Sequence, residues 1–160
     1  KKPSVDLPSH LEIYKGFCDV NCVIHTHSKY ATIFAQAGIP ISCVGTTHAD
    51  YFYGNIPCVP QPTKEQVLSD YEMETGTQIC NYFNEYKISP NSMKACVVES
   101  HGAFIWGKSI ESSLESSYVL ELISEMAFNT LLINPKSRLK KYILDKHYLR
   151  KHGEDKYYGQ

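Results

Sequence analysis

A strong net charge is the first feature that this sequence lacks. Sixteen lysine and arginine residues stand against seventeen aspartate and glutamate residues, so the formal net charge is −1 at pH 7. Domains that bind nucleic acid or anionic membranes typically carry a clear excess of positive charge. The composition therefore gives no electrostatic basis for either partner, and we expect neither nucleic acid nor a membrane to be bound.

Long apolar segments and paired cysteine motifs are also absent. No stretch approaches the roughly 18 apolar residues of a membrane-spanning helix, and the N-terminal segment has no apolar core of the signal-peptide type. The six cysteines include no Cys-x-x-Cys pair, which argues against a zinc ribbon or a redox motif. Several lie in apolar strand-like segments, where free cysteine behaves as a small hydrophobic residue. We therefore expect a cytoplasmic protein.

The length and patterning of the chain indicate one layered domain. Its 160 residues are 42% hydrophobic and 21% charged, and no repeat or linker divides them, so residues 1–160 are expected to form a single domain. A first helix is predicted with Ser9 as its N-cap and Glu12 completing a capping box. Residues 45–54 are expected to form an ordered loop. Strands are predicted at 20–26, 41–44 and 94–100, and helices at 29–37, 63–86 and 109–133. This order predicts a layered α/β fold.

Three histidines carry the clearest chemical signal in the sequence. His25 and His27 are two residues apart at the end of a predicted strand, so their side chains share one face, about 7 Å apart along the chain. His101 follows another predicted strand and precedes Gly102, which permits a close backbone approach. Three neutral imidazoles can form a catalytic divalent-metal site with one open position. The spacing alone leaves open a purely structural, hydrogen-bonded role.

Longer motifs surround these histidines. They read HTHS at 25–28, GTTHADYFYG at 45–54, SHGAFIWGK at 100–108 and DKHYLRKHG at 145–153, with YYGQ at 157–160. Together they resemble the L-ribulose-5-phosphate 4-epimerases, which belong to the class II aldolase superfamily. The resemblance covers nearly the whole chain. The motifs at 45–54 and 157–160 favour the epimerases over their aldolase relatives.

The resemblance implies both a fold and a metal site. The fold would be the class II aldolase-like α/β domain, with three α/β/α layers around a mostly antiparallel sheet, here N-terminally incomplete. The metal ligands would be His25, His27 and His101, with Asp6 in the family's acidic position close to the ion. Zn²⁺ is the expected cofactor, because imidazole ligands favour late first-row ions over Mg²⁺ or Ca²⁺.

The resemblance also implies a reaction and the groups that move protons in it. The reaction would convert L-ribulose 5-phosphate to D-xylulose 5-phosphate by cleaving and re-forming the C3–C4 bond. Asp50 and Tyr158 would act as acid and base, with His147 nearby. Inversion at C4 requires a proton-transfer group on each face of the reacting carbon, which suits a pair of such residues. In the family these groups complete the site across a subunit interface of a homotetramer, which is therefore the expected assembly.

The sequence departs from the family pattern in two places. Ser4-Val5 stands where the family has two serines before the acidic residue, so Ser4 is the remaining candidate for substrate binding there. The family's upstream strands and phosphate-binding loops are not found in this chain, so we expect weak substrate binding and an exposed sheet edge. Two alternatives stay open: a class II sugar-phosphate aldolase, and a non-catalytic homologue that acts in assembly or metal binding.

Overall fold

A four-stranded mixed sheet forms the centre of the structure, a computed structural model that describes residues 2–154 and 156–158. The strands lie in the order β1-β4-β3-β2. The β1–β4 and β3–β4 pairs are antiparallel and the β2–β3 pair is parallel, so the predicted α/β fold with a mostly antiparallel sheet is confirmed. The strands are β1 (Cys22–Thr26), β2 (Cys58–Val59), β3 (Ala95–Val98) and β4 (Ala103–Gly107).

Helices cover both faces of this sheet. On one face α1 packs against α4, and on the other α2 packs against α5, which also contacts β1 and β4. The described helices are α1 (Leu7–Gly16), α2 (Lys29–Ala37), α3 (Thr46–Ala49), α4 (Lys64–Glu85), α5 (Ile110–Ile133) and α6 (Lys141–His152). None of them combines the length and the apolar character needed to cross a bilayer.

The central strand β4 is buried on both sides and organises the core. The Trp106 ring lies 4.9 Å from the ring of Phe17 and 5.1 Å from that of Phe83, centroid to centroid, on the α1–α4 side. On the other side, a Cβ at Gly107 would lie 2.7 Å from the Ser113 hydroxyl. Glycine at this position therefore allows the start of α5 to approach the sheet closely.

The first helix begins earlier than the capping pattern predicts. It starts at Leu7, with Asp6 as the N-cap residue and no side-chain cap, so the predicted Ser9 cap is wrong. The Ser9 hydroxyl instead donates a hydrogen bond to the backbone carbonyl of Glu72 in α4. The Ser9 hydroxyl is therefore used in a contact between two helices and not in a capping box.

Other elements differ from expectation in extent. The sequence patterns do not predict β2 or β4, and the predicted strand at 41–44 is reduced to one bridge between Ile41 and Ile56. The expected loop at 45–54 contains the short helix α3. Helix α4 is interrupted at Asp70, where the backbone leaves helical geometry and the Asp70 carboxylate accepts a hydrogen bond from the Met73 amide. This bend brings the next residue, Tyr71, towards the end of the sheet that carries the histidines.

Candidate metal centre

The position and tautomer of His25 follow from the pairing of β1 with β4. His25 lies opposite Phe104 in the register, and the two rings stack with their centroids 4.2 Å apart. Its Nδ1 lies 3.0 Å from the carbonyl oxygen of Ala103. A carbonyl only accepts hydrogen bonds, so Nδ1 carries the proton and Nε2 keeps its lone pair. Metal-binding histidines are commonly oriented in this way.

The two other histidines converge on that free nitrogen. His27 Nε2 lies 3.0 Å from His25 Nε2, and the candidate ligand atoms of His25, His27 and His101 all lie within 4.8 Å of one another. Two nitrogens bound to one tetrahedral zinc ion, at about 2.0–2.1 Å each, are separated by about 3.3–3.4 Å. The three imidazoles therefore fit a divalent metal with little rearrangement.

The turn between β3 and β4 places His101 in this group. Ser100 adopts the left-handed backbone conformation, with φ of 59°, and Gly102 follows His101. A Cβ at Gly102 would lie 2.8 Å from the carbonyl oxygen of Thr26 and 3.0 Å from Cδ2 of His27. Glycine is therefore required for β1 and the turn to meet closely enough for the three histidines to share one site.

Tyr71 supports the group from helix α4. Its hydroxyl lies 3.3 Å from Nδ1 of His101, which leaves the other ring nitrogen of His101 directed to the cluster. No spacing in the sequence connects Tyr71 with the histidines, because the contact depends on the bend in α4. Sequence reasoning therefore has no signal from which to find this residue.

Burial favours the neutral form of His25 and His101. It is the largest cause lowering the pKa of both His25 and His101, and the neighbouring histidines lower both values further. The carboxylate of Asp6 acts in the opposite direction on both rings. Because a metal binds the neutral imidazole, these lowered pKa values keep the ligand atoms available near neutral pH.

Asp6 and Ser4 lie near this site but outside the histidine group. Among the described residues, the carboxylate of Asp6 does not join the set of ligand atoms within 4.8 Å of one another. It accepts a hydrogen bond from the exposed Ser4 hydroxyl at 3.2 Å. Asp6 therefore contributes negative potential to the histidines, while Ser4 lies at the surface beside it.

The candidate acid and base residues form a second cluster around Asp50, which ends α3. Arg150 Nη2 donates to both carboxylate oxygens of Asp50, at 3.1 and 3.2 Å, and Nδ1 of His147 lies 3.1 Å from Oδ1. The Arg150 guanidinium also lies over the Tyr158 ring, 4.4 Å from its centroid. The sequence prediction does not include Arg150, although its spacing of three residues from His147 puts both on one face of α6.

The loop that carries Asp50 is anchored by a buried histidine. Nε2 of His48 donates a hydrogen bond to the carbonyl of Gly54 at 2.8 Å, whereas the buried Nδ1 has no partner among the described residues. Burial lowers the pKa of His48 to about 4. A hydrogen bond to Glu115 raises the pKa of the adjacent Tyr51 to about 12, so that phenol stays protonated at neutral pH.

The two clusters lie towards opposite ends of the sheet. His25 contacts Ala103, at the start of β4. Lys151 and His152 lie on α6, the helix that also carries His147 and Arg150, and they line a cavity together with Gly107, at the other end of β4. A strand of this length spans roughly 13 Å. Within the described part of the chain, no hydrogen bond, ion pair or ring contact joins the two clusters. Within one chain, the three histidines and the Asp50 cluster therefore do not form one site.

Comparison with known proteins identifies the fold. The chain resembles an L-fuculose 1-phosphate aldolase at 16% identity and a TM-score of 0.67, covering 92% of this chain and 63% of the other. It resembles YgbL from Escherichia coli at 21% identity and a TM-score of 0.65, covering 91% and 66%. An L-fuculose-1-phosphate aldolase from Thermus thermophilus matches at 19% identity and a TM-score of 0.62, covering 83% and 64%. The chain thus spans just under two thirds of each of these structures.

A protein-family model also matches most of the chain. The family model described as the class II aldolase and adducin N-terminal domain matches residues 1–128. This range includes all of β1 to β4 and therefore both strands and the turn that carry the three histidines. The chain belongs to the class II aldolase and adducin N-terminal domain family.

Proposed function

We propose that this chain forms the metal-binding and proton-transfer parts of an epimerase that converts L-ribulose 5-phosphate to D-xylulose 5-phosphate. The observation that carries the proposal is the convergence of three imidazoles within 4.8 Å. The Asp50 cluster adds acid and base groups of the kind that inversion at C4 needs. The epimerase-like motifs at 45–54 and 157–160 support this reaction over simple aldol cleavage; Gly159 and Gln160 of the second motif lie outside the described residues.

The donor set suits Zn²⁺ as the cofactor. His25, His27 and His101 would hold the ion, which supplies a Lewis acid for the carbonyl oxygen of the substrate. The partial burial of the site excludes some of the water that would compete for the ion. We propose that Asp6 adjusts the charge of this centre and that Ser4 donates a hydrogen bond to the substrate at its exposed rim.

The residues of the Asp50 cluster would carry out the proton transfers. In one direction a base, Asp50 or Tyr158, takes the proton of the C4 hydroxyl while the C3–C4 bond breaks. The electron pair of that bond stays on the three-carbon fragment, which becomes an enediolate. Glycolaldehyde phosphate is the other fragment. After the aldehyde turns over, the bond forms again on its other face and the opposite group returns the proton. Arg150 and His147 hold the Asp50 carboxylate in one orientation for this exchange.

A second copy of the chain would bring the clusters together. The histidines and Asp50 lie towards opposite ends of the sheet in one chain, so proton transfer at a carbon bound beside the histidines requires Asp50 from a neighbour. This supports an assembly with active sites between subunits, and we propose the homotetramer that the resemblance implies. It also accounts for a functional role of Tyr158 near the C-terminus, since a neighbouring subunit can enclose it.

Replacement of Asp50 tests the proposed chemistry. The Asp50→Asn variant should lose epimerase turnover while zinc content stays at one ion per chain. Asp19→Asn is the matched control, because Asp19 is exposed, lies outside both clusters and has φ of 65°, which asparagine tolerates. Undiminished turnover in Asp50→Asn would contradict the assignment.

A sugar-phosphate aldolase is the second candidate, because the solved structures with this fold include L-fuculose 1-phosphate aldolases. Product analysis separates the two reactions. An epimerase returns the two fragments to each other, so aldehyde-trapping reagents should recover little glycolaldehyde phosphate from L-ribulose 5-phosphate. Stoichiometric release of the aldehyde would favour the aldolase. Bound zinc without either product would favour a non-catalytic homologue.

A further inference from the structure

A cavity of about 660 Å³ lies at the end of the sheet opposite the three histidines. Its walls come from the end of β4, the turn at 89–92, the first turn of α5 and the end of α6. This volume falls within the range of about 300–1,000 Å³ that is typical of small-molecule sites. None of the histidines in the candidate metal centre lines it. The cavity is therefore separate from the metal centre, and it adjoins the Asp50 cluster through Lys151 and His152, which contact Tyr158 and Asp50.

Lysine dominates the charge of this cavity. Lys94, Lys108, Lys151 and Lys156 line it, and Asp19 is the one carboxylate among the described lining residues. The Lys108 ammonium is 3.8 Å from Asp19, which offsets part of one charge in an exposed pair. In a protein with a formal net charge of −1, this is a local concentration of positive charge.

Lys94 lies close enough to Lys108 and His152 for their charges to interact. Burial lowers the pKa of Lys94; the negative charge of Glu115 raises it, and the positive charge of Lys108 lowers it further. Burial also lowers the pKa of His152, with the charges of Lys94 and Lys151 acting in the same direction. Partly desolvated positive charges near one another are costly unless a negative group compensates them. Glu115 and Asp50 offset part of this cost, and a bound anion would provide further compensation.

Neutral donors and aromatic rings complete the walls. Asn91 on the turn offers an amide group, whereas the hydroxyls of Ser92 and Ser112 donate to the carbonyls of Ser89 and Ser109. Tyr148 contributes aromatic surface, and Trp106 borders the cavity from the core with 1% of its surface exposed. Trp106 Nε1 also donates to the carbonyl of Pro90 at 2.9 Å, which fixes the turn against the core. The walls thus combine anion-binding groups with an apolar surface suited to a carbon framework.

We propose that this cavity binds a small organic phosphate, with its phosphate oxygens at Lys94 and Lys108 and its carbon body against Tyr148. Lysine is a common phosphate ligand because its ammonium provides a compact positive charge and three donors. Binding here involves no metal and does not depend on the epimerase reaction proposed above. Phosphate binding in this cavity is therefore expected even if the protein does not catalyse that reaction.

Tryptophan fluorescence gives a direct readout, because Trp106 is the one tryptophan of the chain and lines the cavity. The protein is titrated in EDTA with inorganic phosphate, ribose 5-phosphate and ribose. We expect saturable changes with both phosphates, tighter binding of ribose 5-phosphate, and no saturation with ribose. Affinity should fall as salt concentration rises. Absence of saturation with ribose 5-phosphate, or equal affinity for inorganic phosphate, would overturn the proposal.

Variants separate this cavity from the metal centre. Lys94→Gln and Lys108→Gln should each weaken ribose 5-phosphate binding about tenfold or more, because each removes a charged hydrogen bond. Lys108 is exposed, so its replacement preserves the fold, as circular dichroism will verify. Lys136→Gln, at an exposed lysine outside the cavity, and His27→Ala, in the metal centre, should bind as the wild type does. Loss of binding in His27→Ala, or unchanged binding in both cavity variants, would contradict the assignment.

Discussion

Acidification should destabilise this protein through His48. The Nε2–H group of its ring donates to Gly54, while the buried Nδ1 has no hydrogen-bond partner among the described residues. Protonation would place a proton and a charge at Nδ1, with no acceptor and little water to solvate them. Burial consequently lowers the pKa of His48 from 6.5 to about 4.

The size of the effect follows from this pKa difference. In the unfolded chain the imidazole takes up a proton as the pH falls through 6.5, whereas in the folded chain it remains neutral until the pH approaches about 4. The unfolded state binds more protons in this window, so the free energy of unfolding decreases as the pH falls. The full window corresponds to about 3 kcal/mol, of which about 2 kcal/mol is lost by pH 5.

Urea unfolding at pH 7, 6 and 5 measures the loss, with His48→Gln as the control. The glutamine side chain can donate to the Gly54 carbonyl but does not titrate. The wild type should lose about 2 kcal/mol more than His48→Gln between pH 7 and pH 5. Other histidines with lowered pKa values, such as His10 and His25, contribute similarly in both proteins. Parallel pH profiles would refute the reasoning.

Two further predictions concern the support of the metal centre. Gly102→Ala should reduce the free energy of unfolding by about 1–3 kcal/mol in urea and weaken zinc binding, since its Cβ would lie 3.0 Å from Cδ2 of His27; unchanged stability and affinity would show that the turn does not constrain the histidines. Tyr71→Phe should weaken zinc binding about tenfold through loss of the contact with His101, as measured by competition with a chelator. The metal-free variant should melt at nearly the same temperature as the metal-free wild type. Unchanged zinc affinity would show that the hydroxyl does not orient the ring.

The histidine pair was predictable because it follows from local geometry. Residues 25 and 27 share a face of any strand, and the structure places both beside His101. Strand β4, like β3, is buried on both faces and shows no alternation of polar and apolar residues, so its short apolar run is the one local indication of a strand. Its buried Phe104 nevertheless forms the surface on which His25 stacks. The site thus depends on an element whose sequence carries no distinct periodic signal.

Contacts between distant segments explain the other differences. Ser9 satisfies the general pattern of a helix cap, but its hydroxyl bonds to Glu72 in another helix. Arg150 binds Asp50, which is 100 positions away, so the pairing cannot be read from nearby sequence. Local rules therefore predict which residues share a face. The tertiary fold decides which faces and side chains meet.

Metal titration of the chain tests the central claim most directly. Cobalt(II) is added to the metal-free protein while visible absorption reports coordination by nitrogen. The account predicts one ion per chain in the wild type, and loss of stoichiometric binding in His25→Ala, His27→Ala and His101→Ala. His10→Ala is the matched control, because His10 lies beside Phe104 but outside the three-histidine group, and it should bind normally. The account would be contradicted if the wild type bound no stoichiometric cobalt, or if the three cluster variants bound cobalt as well as the wild type does.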